Sequence, residues 1–265
     1  MTRCRALGGL AFLIAALLHP AASRADELEV DLALVLAVDV SRSMDNEEQV
    51  LQREGYVEAF RSEVVHNAIR NGMVGRIAVT YMEWSGPGQQ AVVMPWTVID
   101  DASGSRAFAD RLGKAPIGRI FSTSISGAID FGVALFRQSN VTALRRVIDV
   151  SGDGPNNTGR IVTLARDEAI AQGIVINGLP FMVKQPTGFG DVENLDHYYE
   201  DCVIGGPGAF SIPIRDKTQI GEATRNKIVR EIADLGPEPR IVPAQGRPAA
   251  NCLMGEQQRR MQYGP

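Results

Sequence analysis

The chain has 265 residues, of which 45% are hydrophobic, a composition that allows one domain with a sizeable core. Its formal net charge is -4, with 27 basic and 31 acidic residues. This balance argues against nucleic acid or an anionic membrane as the partner, since both attract strongly basic surfaces.

The first 25 residues have the features of a secretory signal peptide. Arg3 and Arg5 precede an apolar stretch at 10–18, and small residues lead to Ala25. The stretch is short for a membrane span, although an uncleaved anchor is the alternative. Cleavage after Ala25 would remove three basic and no acidic residues, leaving 24 basic against 31 acidic and a net charge of -7. We therefore expect a periplasmic or secreted protein with no transmembrane segment in the mature chain.

Strands and helices alternate along the remaining chain. The predicted strands lie at 31–39, 77–84, 91–99, 146–151, 174–183 and 210–214, and the predicted helices at 45–69, 103–112, 122–138, 158–172, 192–203 and 217–235. The continuous apolar run of the first strand is typical of burial on both faces of a sheet. The pattern predicts an α/β, Rossmann-like fold: a mainly parallel sheet with one antiparallel edge strand and helices on both faces. Residues 26–235 would form this domain, and 236–265 an irregular C-terminal tail.

Oxygen-bearing side chains stand where several of these strands end or helices begin. Asp39, Ser41 and Ser43 follow the first strand, Thr123 precedes an apolar helix, and Asp153 follows another strand. Because ligands bind at the carboxyl ends of parallel strands, these side chains are expected to converge. Oxygen ligands suit Mg²⁺, which binds in octahedral geometry. Taken singly, each residue could instead cap a helix or form a turn.

The order of these motifs resembles the metal-ion-dependent adhesion site of von Willebrand factor A domains. The resemblance covers about residues 28–235 and rests on Asp39-x-Ser41-x-Ser43, on Thr123 five residues before Ala128, and on Asp153-Gly154 after a strand. More closely, 38-VDVSRSMD-45, 148-IDVSGDGPNN-157, 177-NGLP-180 and 204-IGGPGAF-210 are similar to exported bacterial proteins of the domain-of-unknown-function group 1194. That group has no known activity.

The resemblance implies a function and a ligand set. Ser41 and Ser43 would bind Mg²⁺ or Mn²⁺ directly, Thr123 directly or through water, and Asp39 and Asp153 directly or through bound waters. An open coordination position would accept an Asp or Glu carboxylate from a partner protein. The chain is thus expected to be a metal-dependent protein-binding module.

Two other functions remain open on the sequence alone. A hydrolase could use the same cation with Glu47, Glu83 or Asp149 as the general base. A structural module could carry an empty site.

The chain departs from the family pattern in two ways. Phe121-Ser122 replaces the usual glycine pair before Thr123, so Ser122 or Ser124 could compete as the hydroxyl ligand. Asp149 lies within a strand where the family usually has an apolar residue. It would be either a group supporting the metal ligands or a buried acid with a local partner.

Two cysteines remain after removal of the signal peptide. Cys202 and Cys252 form an even pair in a chain predicted to be exported, which favours a disulfide. The bond would pin the tail to the domain and stabilise it by roughly 4 kcal/mol in the chain-entropy estimate. Two free thiols are the alternative.

Overall fold

The computed structural model of the chain describes residues 27–118, 122–183, 194–234 and 247–264. The predicted signal peptide lies outside these residues. None of the helices in the described ranges combines the length and the apolar character that a membrane crossing requires.

The elements follow the predicted alternation. The strands are β1 (Leu28–Asp39), β2 (Ile77–Trp84), β3 (Gln90–Ile99), β4 (Val141–Gly152) and β5 (Ile174–Pro180). The helices are α1 (Asn46–Arg61), α2 (Glu63–Arg70), α3 (Ala102–Lys114), α4 (Ile125–Phe136), α5 (Val162–Ala171), α6 (Leu195–Tyr198), α7 (Ile220–Ile232) and α8 (Met254–Tyr263). A π-helical turn at Tyr199–Val203 continues α6, and a 3-10 turn at Lys217–Gln219 precedes α7.

The five strands form one sheet in the order β3-β2-β1-β4-β5. Strand β1 pairs in parallel with β2 and β4, β4 pairs in parallel with β5, and β3 is antiparallel to β2 at the edge. The predicted α/β class, with its mainly parallel sheet and one antiparallel edge strand, is therefore confirmed.

Alternate residues of β1 pack on opposite faces of the sheet, since successive side chains of a strand point to opposite sides. Leu32, Leu34 and Leu36 pack in the core beneath α1, α2, α3 and α7, whereas Val35 and Ala37 pack beneath α4, α5 and α6. Helices thus cover both faces, which explains why β1 is apolar without interruption.

Local details differ from the prediction in three places. Residues 210–214 do not form the predicted strand, because only isolated bridges join Ser211 to Gly178 and Ile214 to Phe181. The helix predicted at 45–69 is divided at Ser62, whose extended backbone ends α1 and whose hydroxyl caps α2 by accepting from Val65 N. The tail predicted as irregular contains α8, so that part of the prediction is wrong. Helix α8 contacts residues of the domain that are distant in sequence, and no local periodicity predicts such contacts.

Candidate functional site

The candidate site lies where β1 and β4 end at the carboxyl edge of the sheet. Asp39 is the last residue of β1, and the register that pairs Val38 with Ser151 places it beside Gly152, the last residue of β4. The parallel pairing therefore brings the loops after the two strands together, although Asp39 and Asp153 are 114 positions apart.

Hydrogen bonds connect four of the five predicted ligands. Asp39 Oδ1 accepts from Ser41 N at 2.6 Å, the Ser41 and Ser43 hydroxyl oxygens are 2.9 Å apart, and Ser43 Oγ donates to Asp153 Oδ1 at 2.6 Å. Asp39 and Ser41 are buried, whereas Ser43 and Asp153 lie nearer the surface. Two carboxylates and two hydroxyls thus form one continuous cluster at the rim.

Thr123, the fifth predicted ligand, stands on the neighbouring loop before α4. Its backbone N donates to Asn157 Oδ1 at 3.1 Å, and its backbone O accepts from Asn157 N at 3.0 Å. These bonds join the Thr123 loop to the segment that follows Asp153. Asn157 was not among the residues predicted for the site. The Asn156-Asn157 pair was visible in the sequence, but its partner across the chain was not.

The structure distinguishes the three hydroxyl residues that precede α4. Ser124 caps the helix by accepting from Gly127 N at 3.2 Å, and Ser122 Oγ accepts from Arg259 Nη1 at 3.2 Å. Only backbone hydrogen bonds are found for Thr123 among the described residues. Within the described ranges, the hydroxyl of Thr123 is therefore the one of the three without a hydrogen bond. Phe121 lies outside the described residues.

Asp39 is electrostatically unusual. Its Oδ2 atom is buried and has no hydrogen-bond partner in the described part of the chain. Burial, and then the charge of Asp153, raise the pKa of Asp39 well above its ordinary value, although hydrogen bonding from Ser41 and from the backbone of Asp153 opposes the shift. A buried carboxylate oxygen without a partner is costly, and a bound cation would offset that cost.

Gly152 and Tyr199 complete the surroundings of Asp39. A Cβ atom on Gly152 would lie 2.8 Å from Asp39 Oδ2 and 3.1 Å from the Tyr199 hydroxyl, so glycine is needed at this close approach. The Tyr199 hydroxyl is also buried without a hydrogen-bond partner among the described residues. Burial, followed by the charges of Asp39 and Asp153, raises the pKa of Tyr199, so this group is a neutral hydroxyl beside the acids.

The residues present fit a hard divalent cation. No group of three or more His, Cys, Asp or Glu side chains suited to a metal is found in the described ranges. Two carboxylates with three hydroxyls nevertheless provide oxygen ligands of the type that Mg²⁺ and Mn²⁺ use. Within this cluster, a bound cation would offset the cost of burial most at Asp39 Oδ2, which has no hydrogen-bond partner among the described residues.

The acids considered as catalytic bases all form ion pairs. Glu83 pairs with buried Arg53, and its Oε2 accepts from Gly118 N at 2.8 Å. Glu47 is exposed and pairs with Lys217. The pair with Arg53 holds the buried Glu83 carboxylate in a structural role, whereas the exposed Glu47–Lys217 pair is screened by water.

Asp149, the third of those acids, belongs to a buried charge cluster with Lys227 and Glu231. Its Oδ1 lies 2.7 Å from Lys227 Nζ on α7, and the same ammonium pairs with Glu231. Tyr56 OH donates weakly to Asp149 Oδ2 at 3.5 Å, and Asn177 Nδ2 donates to Glu231 Oε1 at 3.3 Å. Of the two predicted roles for Asp149, the buried acid with a local partner is the one observed.

Glu231 is an acid of this cluster whose pKa is raised towards neutral pH, so we expect it to make stability depend on pH. Burial, and then the charge of Asp149, raise the pKa of Glu231 to about 7, although Lys227 opposes the shift. Burial alone would lower the pKa of Lys227, but the charges of Asp149 and Glu231 raise it, and Lys227 therefore stays charged at neutral pH. Arg145 donates to the backbone oxygen of Glu231 at 2.8 Å.

We expect wild-type stability to fall, relative to that of Glu231→Gln, as pH rises from about 4.5 to 7. Between these values the unfolded chain releases a proton that native Glu231 keeps, so rising pH favours unfolding by about 3 kcal/mol in total. Urea titrations of both proteins in EDTA at several pH values measure this difference. Parallel stability curves would show that Glu231 does not titrate in this window.

Cys202 and Cys252 form the predicted disulfide, with their Cα atoms 5.4 Å apart. The bond joins the π-helical turn after α6 to the segment that leads into α8. It therefore attaches the C-terminal segment covalently to the domain.

A family model described as "Protein of unknown function (DUF1194)" matches residues 29–236. No curated protein matches the chain. Among solved structures, a von Willebrand factor type A protein from Catenulispora acidiphila is similar, with a TM-score of 0.53 and 14% identity over 77% of this chain and 43% of that one.

Two further structures show the same likeness of fold. The pilus adhesin SpaC from Lactobacillus rhamnosus GG has a TM-score of 0.58 and 13% identity over 79% of this chain and 32% of its own. Proximal thread matrix protein 1 from the mussel byssus, in a structure with a zinc-occupied adhesion-site motif, has a TM-score of 0.58 and 13% identity over 79% and 50%. This chain spans half or less of the length of these proteins. The fold is that of a von Willebrand factor A domain, and the chain belongs to the DUF1194 family.

Proposed function

We propose that the chain is an exported protein-binding module whose domain, residues 26–235, binds Mg²⁺ or Mn²⁺ and, through the cation, a carboxylate of a partner protein. Asp39, Ser41, Ser43, Thr123 and Asp153 would be the ligands. The observation that carries the proposal is the hydrogen-bonded cluster of two carboxylates and two hydroxyls around the unpartnered, buried Asp39 Oδ2.

The charge of the ligand set supports binding of an anionic group. A bound divalent cation supplies an electrophilic centre with an exchangeable coordination position. Since only Asp39 and Asp153 among the five ligands are acids, they balance the cation without exceeding its charge. Ser41, Ser43 and Thr123 add neutral oxygens. An incoming Asp or Glu carboxylate therefore meets no excess of negative charge at the site.

The structural neighbours support the same proposal by analogy. The mussel protein has zinc in a motif of this type, and the Lactobacillus protein is an adhesin. Export in this chain would be directed by residues 1–25 and would place the module in the periplasm or outside the cell, where the Cys202–Cys252 disulfide is stable.

Cation-dependent capture of a partner tests the proposal. The mature wild-type chain and Ser43→Ala are immobilised and exposed to exported proteins of the source cells in Mg²⁺ or in EDTA. We expect a protein that binds the wild type only in Mg²⁺, is eluted by EDTA and does not bind Ser43→Ala, because Ser43 is a predicted cation ligand. Ser139→Ala, which removes a hydroxyl that donates to Phe136 O on another part of the surface, should bind like the wild type.

The carboxylate is then located on the captured protein. Changing its exposed Asp and Glu residues one at a time to the amides should identify a single position at which binding is lost. Partners that bind equally well in EDTA, or that bind Ser43→Ala unchanged, would show that another surface is responsible.

A further inference from the structure

Residues 247–264, here called the C-terminal arm, lie against the candidate cation site. The arm contains Cys252, which is bonded to Cys202, and helix α8. Arg247 forms ion pairs with Asp201 at 2.6 Å and Glu200 at 3.0 Å, and Ala250 N donates to Asp201 Oδ2 at 2.7 Å. The start of the arm is therefore held on the domain by a covalent bond and by polar contacts around it.

Helix α8 contacts the segment that follows Asp153. Asn156 Nδ2 donates to Glu256 Oε1 at 2.8 Å, and a Cβ atom on Gly255 would lie only 2.2 Å from Asn156 O. Glycine thus allows α8 to approach this backbone closely. Asn156 is fully buried, and its Oδ1 also accepts from Ser126 N in the first turn of α4. The contact therefore extends to the base of the Thr123 loop.

Helix α8 also contacts the Thr123 loop directly. Arg259 Nη1 donates to Ser122 Oγ at 3.2 Å, and Ser122 immediately precedes Thr123. Ser122 has a φ of 76°, in the left-handed region, where a residue with a side chain is strained and glycine is not. A hydrogen bond to its side chain is one means of holding this backbone in place.

These contacts define a second role for the tail. We propose that the C-terminal arm is a covalently tethered positioning element of the cation site, in which Arg259 holds the strained Ser122 and Glu256 holds Asn156. The Thr123 and Asp153 loops would then keep the geometry that the cation requires. This inference rests on the proposed function, because it concerns affinity for the same cation.

Isothermal titration calorimetry with Mn²⁺ on the oxidised mature chain tests the inference. We expect Arg259→Ala to weaken Mn²⁺ binding about tenfold, because the binding-competent loop becomes a minor population once its support is lost. Arg260→Ala removes the same charge from the adjacent position of α8 and should retain wild-type affinity, since within the described residues only Arg259 of the two donates a hydrogen bond to the Thr123 loop.

Glycine at position 122 provides the sharper test. Ser122→Gly should bind Mn²⁺ at least as tightly as the wild type, and adding Arg259→Ala to it should have little further effect, since glycine adopts this backbone without support. If the arm only stabilised the fold, Arg259→Ala would lower the melting temperature without changing the dissociation constant. Arg259→Ala would then lower the melting temperature by the same amount in the wild type and in Ser122→Gly.

Removal of the disulfide tests the tether. Cys202→Ser combined with Cys252→Ser should weaken Mn²⁺ binding as much as Arg259→Ala does. If this variant does not fold, the Arg259 and Ser122 measurements decide alone. A wild-type chain that binds no Mn²⁺ would overturn the proposed function and this inference together. Unchanged affinity in Arg259→Ala, with cation binding intact in the wild type, would overturn only the inference.

Discussion

We expect Lys227→Met to lower the free energy of unfolding by about 4 kcal/mol. The ammonium of Lys227 lies between Asp149 and Glu231, and all three side chains are fully buried. Removing it leaves two carboxylates in an apolar interior without their counter-charge, and breaking a buried ion pair in this way costs about 3–5 kcal/mol. Urea unfolding followed by circular dichroism measures the loss of stability. It is done at pH 8, because high pH favours the charged form of both acids.

Lys217 offers a matched control. It forms an ion pair with Glu47 at 2.6 Å, but the two side chains are 35% and 70% exposed. Lys217→Met should therefore cost far less stability than Lys227→Met, because water screens the exposed pair. Neutralising the whole cluster with Asp149→Asn, Lys227→Met and Glu231→Gln should recover most of the lost stability. A Lys227→Met protein as stable as Lys217→Met would mean that both acids are neutral in the native state.

The second large effect is stabilisation by the cation. At a free Mg²⁺ concentration of 100 times the dissociation constant, the wild type should gain about 2.7 kcal/mol over the same protein in EDTA. Asp39→Asn should lose this gain because it replaces the buried carboxylate whose Oδ2 lacks a partner. Thermal unfolding of both proteins in EDTA and in Mg²⁺ provides the measurement.

The stabilities of the two proteins should also differ in EDTA, where no cation is bound. Asparagine keeps an acceptor for Ser41 N but removes a charge that burial and Asp153 disfavour, so Asp39→Asn should be at least as stable as the wild type without cation. If Asp39 served only to stabilise the fold, Asp39→Asn would instead be less stable than the wild type in EDTA. Equal melting temperatures with and without Mg²⁺ in the wild type would count against a cation site.

Much of the fold was predictable because its signals are local or periodic. The apolar run that becomes β1, the hairpin of β2 and β3, and the alternation of strands with helices lead directly to a mainly parallel sheet. The placement of Asp39, Ser41, Ser43 and Asp153 at its carboxyl edge follows from topology. Each of these residues comes at or just after the end of a parallel strand, and such ends meet at one edge. The disulfide was predictable from cysteine count and the expected compartment.

Only the tertiary structure decided which distant groups meet. Lys227 and Glu231 lie one helical turn apart on α7, but their pairing with Asp149 depends on how α7 packs on the sheet. The bonds of Asn157 to Thr123 and of Arg259 to Ser122 join segments 34 and 137 residues apart, and no periodicity encodes such contacts. Helix α8 was missed because its position depends on a disulfide and on the close approach of Gly255 to Asn156. The sequence alone thus determined the framework and the ligand types, whereas packing between distant segments determined the strain, burial and support around them.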